Sequence, residues 1–185
     1  EIALIARWVD QGTPLGDPRE MPPAPKHSDH WQLGEPDLVL EMPDTYTIEP
    51  EGEDDYRHFV IPSEILKDRF VETIDVQPGN RGVVHHVIAY VDTSGQARKL
   101  DAADPGPGYT RFGDVGFQPA SILGGWAPGM MPYRTPKGSG RWLPQDCDIV
   151  LQVHYFRTGF EEQDRTKVGL YFCDSPRPVR ARIEV

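Results

Sequence analysis

The chain has 185 residues and a formal net charge of −10, from 29 acidic and 19 basic side chains. That balance argues against nucleic acid and against anionic lipid as partners. No run is long enough and apolar enough to give a transmembrane segment. Nineteen prolines and eighteen glycines imply short elements joined by frequent turns, which favours an all-β fold.

Residues 1–15 open on an amphipathic helix. Ile2, Ile5, Ala6 and Val9 recur at helical spacing and Gly12 suits the C-terminal cap. The first residue already lies inside the pattern, so the helix reads as truncated. Residues 16–30 form a proline-rich linker, with Pro18, Pro22, Pro23 and Pro25 favouring an extended surface path. The rest, residues 31–185, reads as one β domain. Strands are expected at Asp37–Glu41, Tyr46–Ile48 and Tyr56–Ile61, the last ended by Pro62, with one helical turn over Ser63–Lys67. Arg69–Val76 alternates as a strand, and Pro78-Gly79-Asn80 turns the chain.

Next comes a run of β-formers with two adjacent histidines, Val83-Val84-His85-His86-Val87-Ile88-Ala89-Tyr90-Val91. Asp92–Pro119 is rich in Gly, Asp and Pro and weak in periodicity, the pattern of a functional loop or a surface excursion. Gly124 to Pro132 fixes a tight backbone around Trp126. Asp148–Phe156 is a second clear strand, with Ile149, Leu151, Val153 and Tyr155 on one face and Val150, Gln152, His154 and Phe156 on the other. A polar turn leads to a return strand over Lys167–Cys173, and Arg180–Val185 begins another. Cys147 and Cys173 flank those two runs. If the runs pair as one hairpin, the cysteines are compatible with a cross-strand disulfide and an oxidising compartment; otherwise they are free buried thiols.

His85, His86 and His154 are the candidate metal ligands. Neighbouring strand residues point to opposite faces, so His85 and His86 can share an ion only at a bulge, a strand end or a sheet edge. Three neutral imidazoles suit copper or zinc, and of the two only copper changes oxidation state. His58, beside Phe59, is expected to partner a nearby carboxylate. His27 and His30 read as solvated surface, and Met130 and Met131 as packing.

Three motifs occur in an order that resembles the type II copper, ascorbate-dependent monooxygenases. They are Val84-His85-His86, the segment from Gly125-Trp126-Ala127 to Pro136-Lys137-Gly138, and Leu151-Gln152-Val153-His154-Tyr155. That family includes peptidylglycine α-hydroxylating and dopamine β-monooxygenases, and the resemblance spans Asp37 to Phe172. It implies a jelly-roll β-sandwich that binds an electron-transfer copper through His85, His86 and His154. It also implies a second domain, whose His-x-His pair and Met hold the oxygen-activating copper across a cleft. This chain contains no His-x-His, so it is expected to supply half of that machinery and no hydroxylation by itself. The run from Ile2 to Gly12 resembles the last helix of c-type cytochrome domains in bacterial redox proteins; an ordinary helix packed on the β domain is the other reading. Two functions follow, both in an exported, periplasmic or extracellular protein. One is an electron-transfer copper domain served by an upstream cytochrome c domain or another reductant. The other is a non-catalytic docking subunit of a larger periplasmic, membrane-associated complex.

Overall fold

A computed structural model describes residues 1–23 and 30–173, and the backbone of 179–180. Helix α1 spans Ile2–Asp10 and α2 spans Gln96–Ala103, with a single 3-10 turn at Pro18–Glu20. The strands are β1 (Leu38–Glu41), β2 (Tyr46–Ile48), β3 (Asp55–Pro62), β4 (Arg69–Gln77), β5 (Val84–Asp92) and β6 (Tyr109–Thr110). They continue with β7 (Ser121–Trp126), β8 (Ser139–Leu143), β9 (Asp148–Tyr155), β10 (Glu162–Asp164), β11 (Lys167–Phe172) and β12 (Val179–Arg180). No helix among the described residues is long and apolar enough to cross a membrane.

Two five-stranded sheets face each other, one in the order β1-β11-β4-β8-β12 and the other β6-β3-β9-β5-β7; β10 and β2 form a separate ribbon. The pairings are antiparallel except the short β12–β8 contact. Taking the eight main strands in chain order, the first pairs with the last, the second with the seventh, the third with the sixth and the fourth with the fifth. That nested order is the jelly roll, so the expected all-β sandwich is the fold observed.

Alternation along the strands places the core. Ile74, Val76, Val168 and Leu170 of one sheet face Phe59, Val87, Ala89, Leu151 and Val153 of the other, all buried. Each of these side chains larger than alanine contributes about 1.5–3 kcal/mol by leaving water. The outer face of the second sheet is partly roofed by the excursion between β5 and β7. There Ala97, Tyr109 and Val115 close over Val150 with Leu100 and Phe117 packed around them. The roof covers the outward-facing Val150, and Tyr56 stacks on His154 further along, so all eight residues of β9 are buried, on both faces. Arg98 ties α2 to the start of β9 through two bonds to Asp148, at 2.6 and 2.7 Å. The excursion was expected, but its helix α2 was not.

Three further expectations are corrected. Ser63–Lys67 makes no helical turn: Pro62 ends β3, and Glu64 sits at φ +54°, outside helical space. The runs flanked by Cys147 and Cys173 do not form a hairpin. Nested pairing sends β9 to β3 and β5 in one sheet and β11 to β1 and β4 in the other. Both cysteines are free thiols, Cys147 buried and donating to the Ser63 hydroxyl at 3.4 Å, Cys173 half-buried. Finally, α1 ends as expected, with Gly12 at φ +80° and the Thr13 N–H donating to Trp8 O. It buries none of its residues, so it is not packed on the β domain. Of the strand expected at Arg180–Val185, residues 181–185 lie outside the described residues.

Candidate metal centre

The histidines meet because of one irregularity. Strand β9 pairs with β5 so that Tyr155 lies opposite Val84 and His154 opposite His86, with a register shift between Val84 and His86. His85 is the extra residue of a β-bulge. In a regular strand the pleat would drive His85 and His86 to opposite faces; the bulge puts both rings on the side of His154. Buried Val83, Val84 and Val87 hold the strand on either side, so the bulge is clamped by core packing.

The three Nδ1 atoms form a small triangle: His85 to His154 is 3.0 Å, His85 to His86 is 3.3 Å and His86 to His154 is 3.4 Å. Imidazole nitrogens bound tetrahedrally to one ion at about 2.0–2.1 Å stand about 3.3 Å apart, so the donor set fits one small cation. Where all three nitrogens present lone pairs they repel at such distances, and a shared cation removes that repulsion. Among the described residues these three form the group of histidines, cysteines and carboxylates close enough to hold a metal ion.

The surroundings orient the imidazoles. His154 is buried, and its Nε2–H donates to Asp54 Oδ2 at 2.9 Å, which leaves the Nδ1 lone pair for the triangle. Its ring stacks on Tyr56 at 4.1 Å and 10°, and Phe112 meets Tyr56 edge-on at 4.9 Å. Burial of His86, then the neighbouring His154 and His85, lower its pKa and so favour the neutral form that a metal ligand needs. Exposure rises from His154 through half-buried His86 to exposed His85, so the cluster opens to solvent on one side. Beside it lies an open hollow of about 410 Å³ lined by Glu53, Asp54, Tyr56, Thr110 and Phe112.

The structure thus brings together the three histidines singled out in the sequence. Sequence reasoning missed Asp54 and Tyr56. Tyr56 lies opposite His154 in the β3–β9 register, which no local pattern encodes, and Asp54 is one carboxylate in an acidic turn. The other residues fall elsewhere. His58 partners no carboxylate among the described residues: it is fully buried, donates from Nδ1 to Tyr109 O at 3.3 Å and accepts from Gln152 Nε2 at 2.9 Å. Met130 and Met131 are exposed and fill no core space. His27 lies outside the described residues.

The fold and site together define a jelly-roll domain with a three-histidine cluster at one end of its second sheet, able to hold a metal ion. Comparison with protein-family models, with curated proteins and with solved structures finds no match.

Proposed function

We propose that this chain is the electron-transfer copper domain of a type II copper monooxygenase-like redox protein, exported to the periplasm or beyond. It would pass electrons to a second copper site on another domain or chain. The observation that carries this reading is the triangle of three Nδ1 atoms, 3.0–3.4 Å apart, built across two neighbouring strands of a jelly roll. Imidazole donors hold copper in both its +1 and +2 states, so copper here would supply a one-electron couple. The chain's own residues do the rest. His85, His86 and His154 offer nitrogen donors, Asp54 and Tyr56 fix the buried ring, and exposed His85 leaves the centre within reach of a donor or acceptor. The resemblance of α1 to a cytochrome c helix supports an upstream haem domain as donor.

Metal analysis with paramagnetic resonance tests the reading on wild type and His154→Ala. The expected result is about one copper per chain with a type II signal, lost in the variant. A chain that stays folded yet retains no copper after reconstitution refutes it, and one that takes zinc in preference refutes the redox role.

One observation favours a second reading, a non-catalytic docking subunit of a larger periplasmic electron-transfer complex. Helix α1 exposes Ile2, Leu4, Ile5, Trp8 and Val9, an apolar set of the kind that marks an interaction surface. A folded chain without copper would move this reading to first place.

A further inference from the structure

His154 is the buried member of the cluster, and the group that holds its far nitrogen comes from a different element. Asp54 belongs to the acidic turn of residues 49–55, which runs into β3. The turn is pinned at several points. Arg157, three residues beyond His154, donates from Nε to Glu53 O and from Nη1 to Glu49 O, both at 2.7 Å. Gly52 sits at φ +124°, and a Cβ there would stand 3.1 Å from Arg157 Nε, so the turn lies flat against the guanidinium. At its C-terminal end, Asp55 accepts from the Tyr46 hydroxyl and pairs opposite Tyr155.

We propose that the turn of residues 49–55 is a strap that loads the metal centre: Asp54 is a positioning residue that holds His154 with Nδ1 toward His85 and His86, and Arg157 is its latch. The inference rests on the metal-centre reading. A histidine ring can turn over and present either nitrogen, and the bond from Nε2–H to Asp54 selects one orientation. The same bond makes Nδ1 a better donor, as outer carboxylates do for metal-bound imidazoles. Asp54 is about half exposed, with 54% of its side-chain surface open, so solvent screens its charge. Orientation therefore outweighs charge, and that separates the strap from an incidental surface ion pair. An uncharged acceptor at 54 should work nearly as well, whereas an alanine should not.

The test uses the full chain with Asp54→Asn, Asp54→Ala and Arg157→Gln, each checked for wild-type circular dichroism. Zinc alone is the calorimetric probe, because it is redox-silent and accepts three imidazoles. In parallel, nitrogen-15 resonance on the metal-free chain follows the His154 Nε2 proton. Wild type should show a slowly exchanging Nε2 proton. Asp54→Ala should lose that signal and about 10- to 100-fold in zinc affinity, the usual cost of removing such an outer partner. Asp54→Asn should stay close to wild type in both readouts. Arg157→Gln should lose affinity in the same direction but by less, with faster exchange. Asp54→Ala that binds zinc as wild type does and keeps the Nε2 signal overturns the strap and leaves the metal centre standing. Wild type that binds neither zinc nor copper overturns the metal centre, and with it the loading role.

Discussion

His58 should make this domain acid-sensitive, by an amount that follows from its position. Its ring is fully buried, stacked on Tyr109 at 4.6 Å and 8°, and tied to the Tyr109 carbonyl and to Gln152. Burial is the main reason its pKa falls from 6.5 to about 4; the Tyr109 carbonyl pulls the other way, and Arg111 adds a smaller downward push. The unfolded chain therefore binds a proton near pH 6.5 that the folded chain refuses until about pH 4. The stabilising contribution is complete above pH 6.5, declines as pH falls and is gone near pH 4. Its size is about 3 kcal/mol. The comparison is wild type against His58→Gln, by urea unfolding followed through tryptophan fluorescence at pH 7.5 and pH 4. Wild type should lose about 3 kcal/mol more than the variant over that interval, whatever the variant costs at pH 7.5. Equal losses in the two proteins would show that His58 titrates normally, and that the roof over it is open to water.

Two further outcomes test the fold. Tyr155 is fully buried, and its hydroxyl donates to Asp164 at 2.8 Å, where the Thr166 hydroxyl and the Asn80 N–H donate to the same carboxylate. Tyr155→Phe keeps the ring and removes one of those three donors, so urea unfolding should show a loss of about 1.5–3 kcal/mol; a change within error would mean that the carboxylate is solvated. Because both cysteines are free, excess dithiothreitol should leave the thermal midpoint unchanged, and half-buried Cys173 should react with a thiol reagent before buried Cys147 does. A lowered midpoint on reduction would place the two sulfurs in a bond.

Strand positions were legible because a pleated strand leaves a period of two in the sequence, as over Asp148–Phe156. Strand partners were not. Consecutive β-runs suggest hairpins, yet in a jelly roll β9 and β11 cross to opposite sheets, and no local signal distinguishes the two cases. The hairpin inferred for Cys147 and Cys173 failed for that reason. Helix α2 escaped notice because its sequence, Gln-Ala-Arg-Lys-Leu-Asp-Ala-Ala, buries only Ala97 fully and so carries almost no apolar stripe. Its start is fixed from outside, by Asp92 accepting from the Ala97 N–H at 2.8 Å. Within the candidate site, the histidines stood out by residue type and by the family resemblance. Asp54 and Tyr56 depend on the register of β3 against β9 and on the turn before it, which exist only once the sheet has formed.

The bulge at His85 links the fold to the proposed chemistry. Along the outer face of β9, successive outward positions change character over about 13 Å of strand. Val150 lies in the dry cluster under the roof, Gln152 bonds to buried His58, and His154 joins the open three-histidine cluster that could hold a metal ion. The excursion that carries α2 covers the first of these positions and stops short of the last, so burial supplies rigidity next to the site without closing it. All three histidines then sit on core-packed strands, where their spacing is set by pleat and register. The proposed one-electron centre would benefit from that placement, because ligands on rigid elements move little between oxidation states. The adjacent histidines that look incompatible with a regular strand are therefore compatible with this one: the bulge cancels the pleat at the single position where two neighbouring side chains must face the same way.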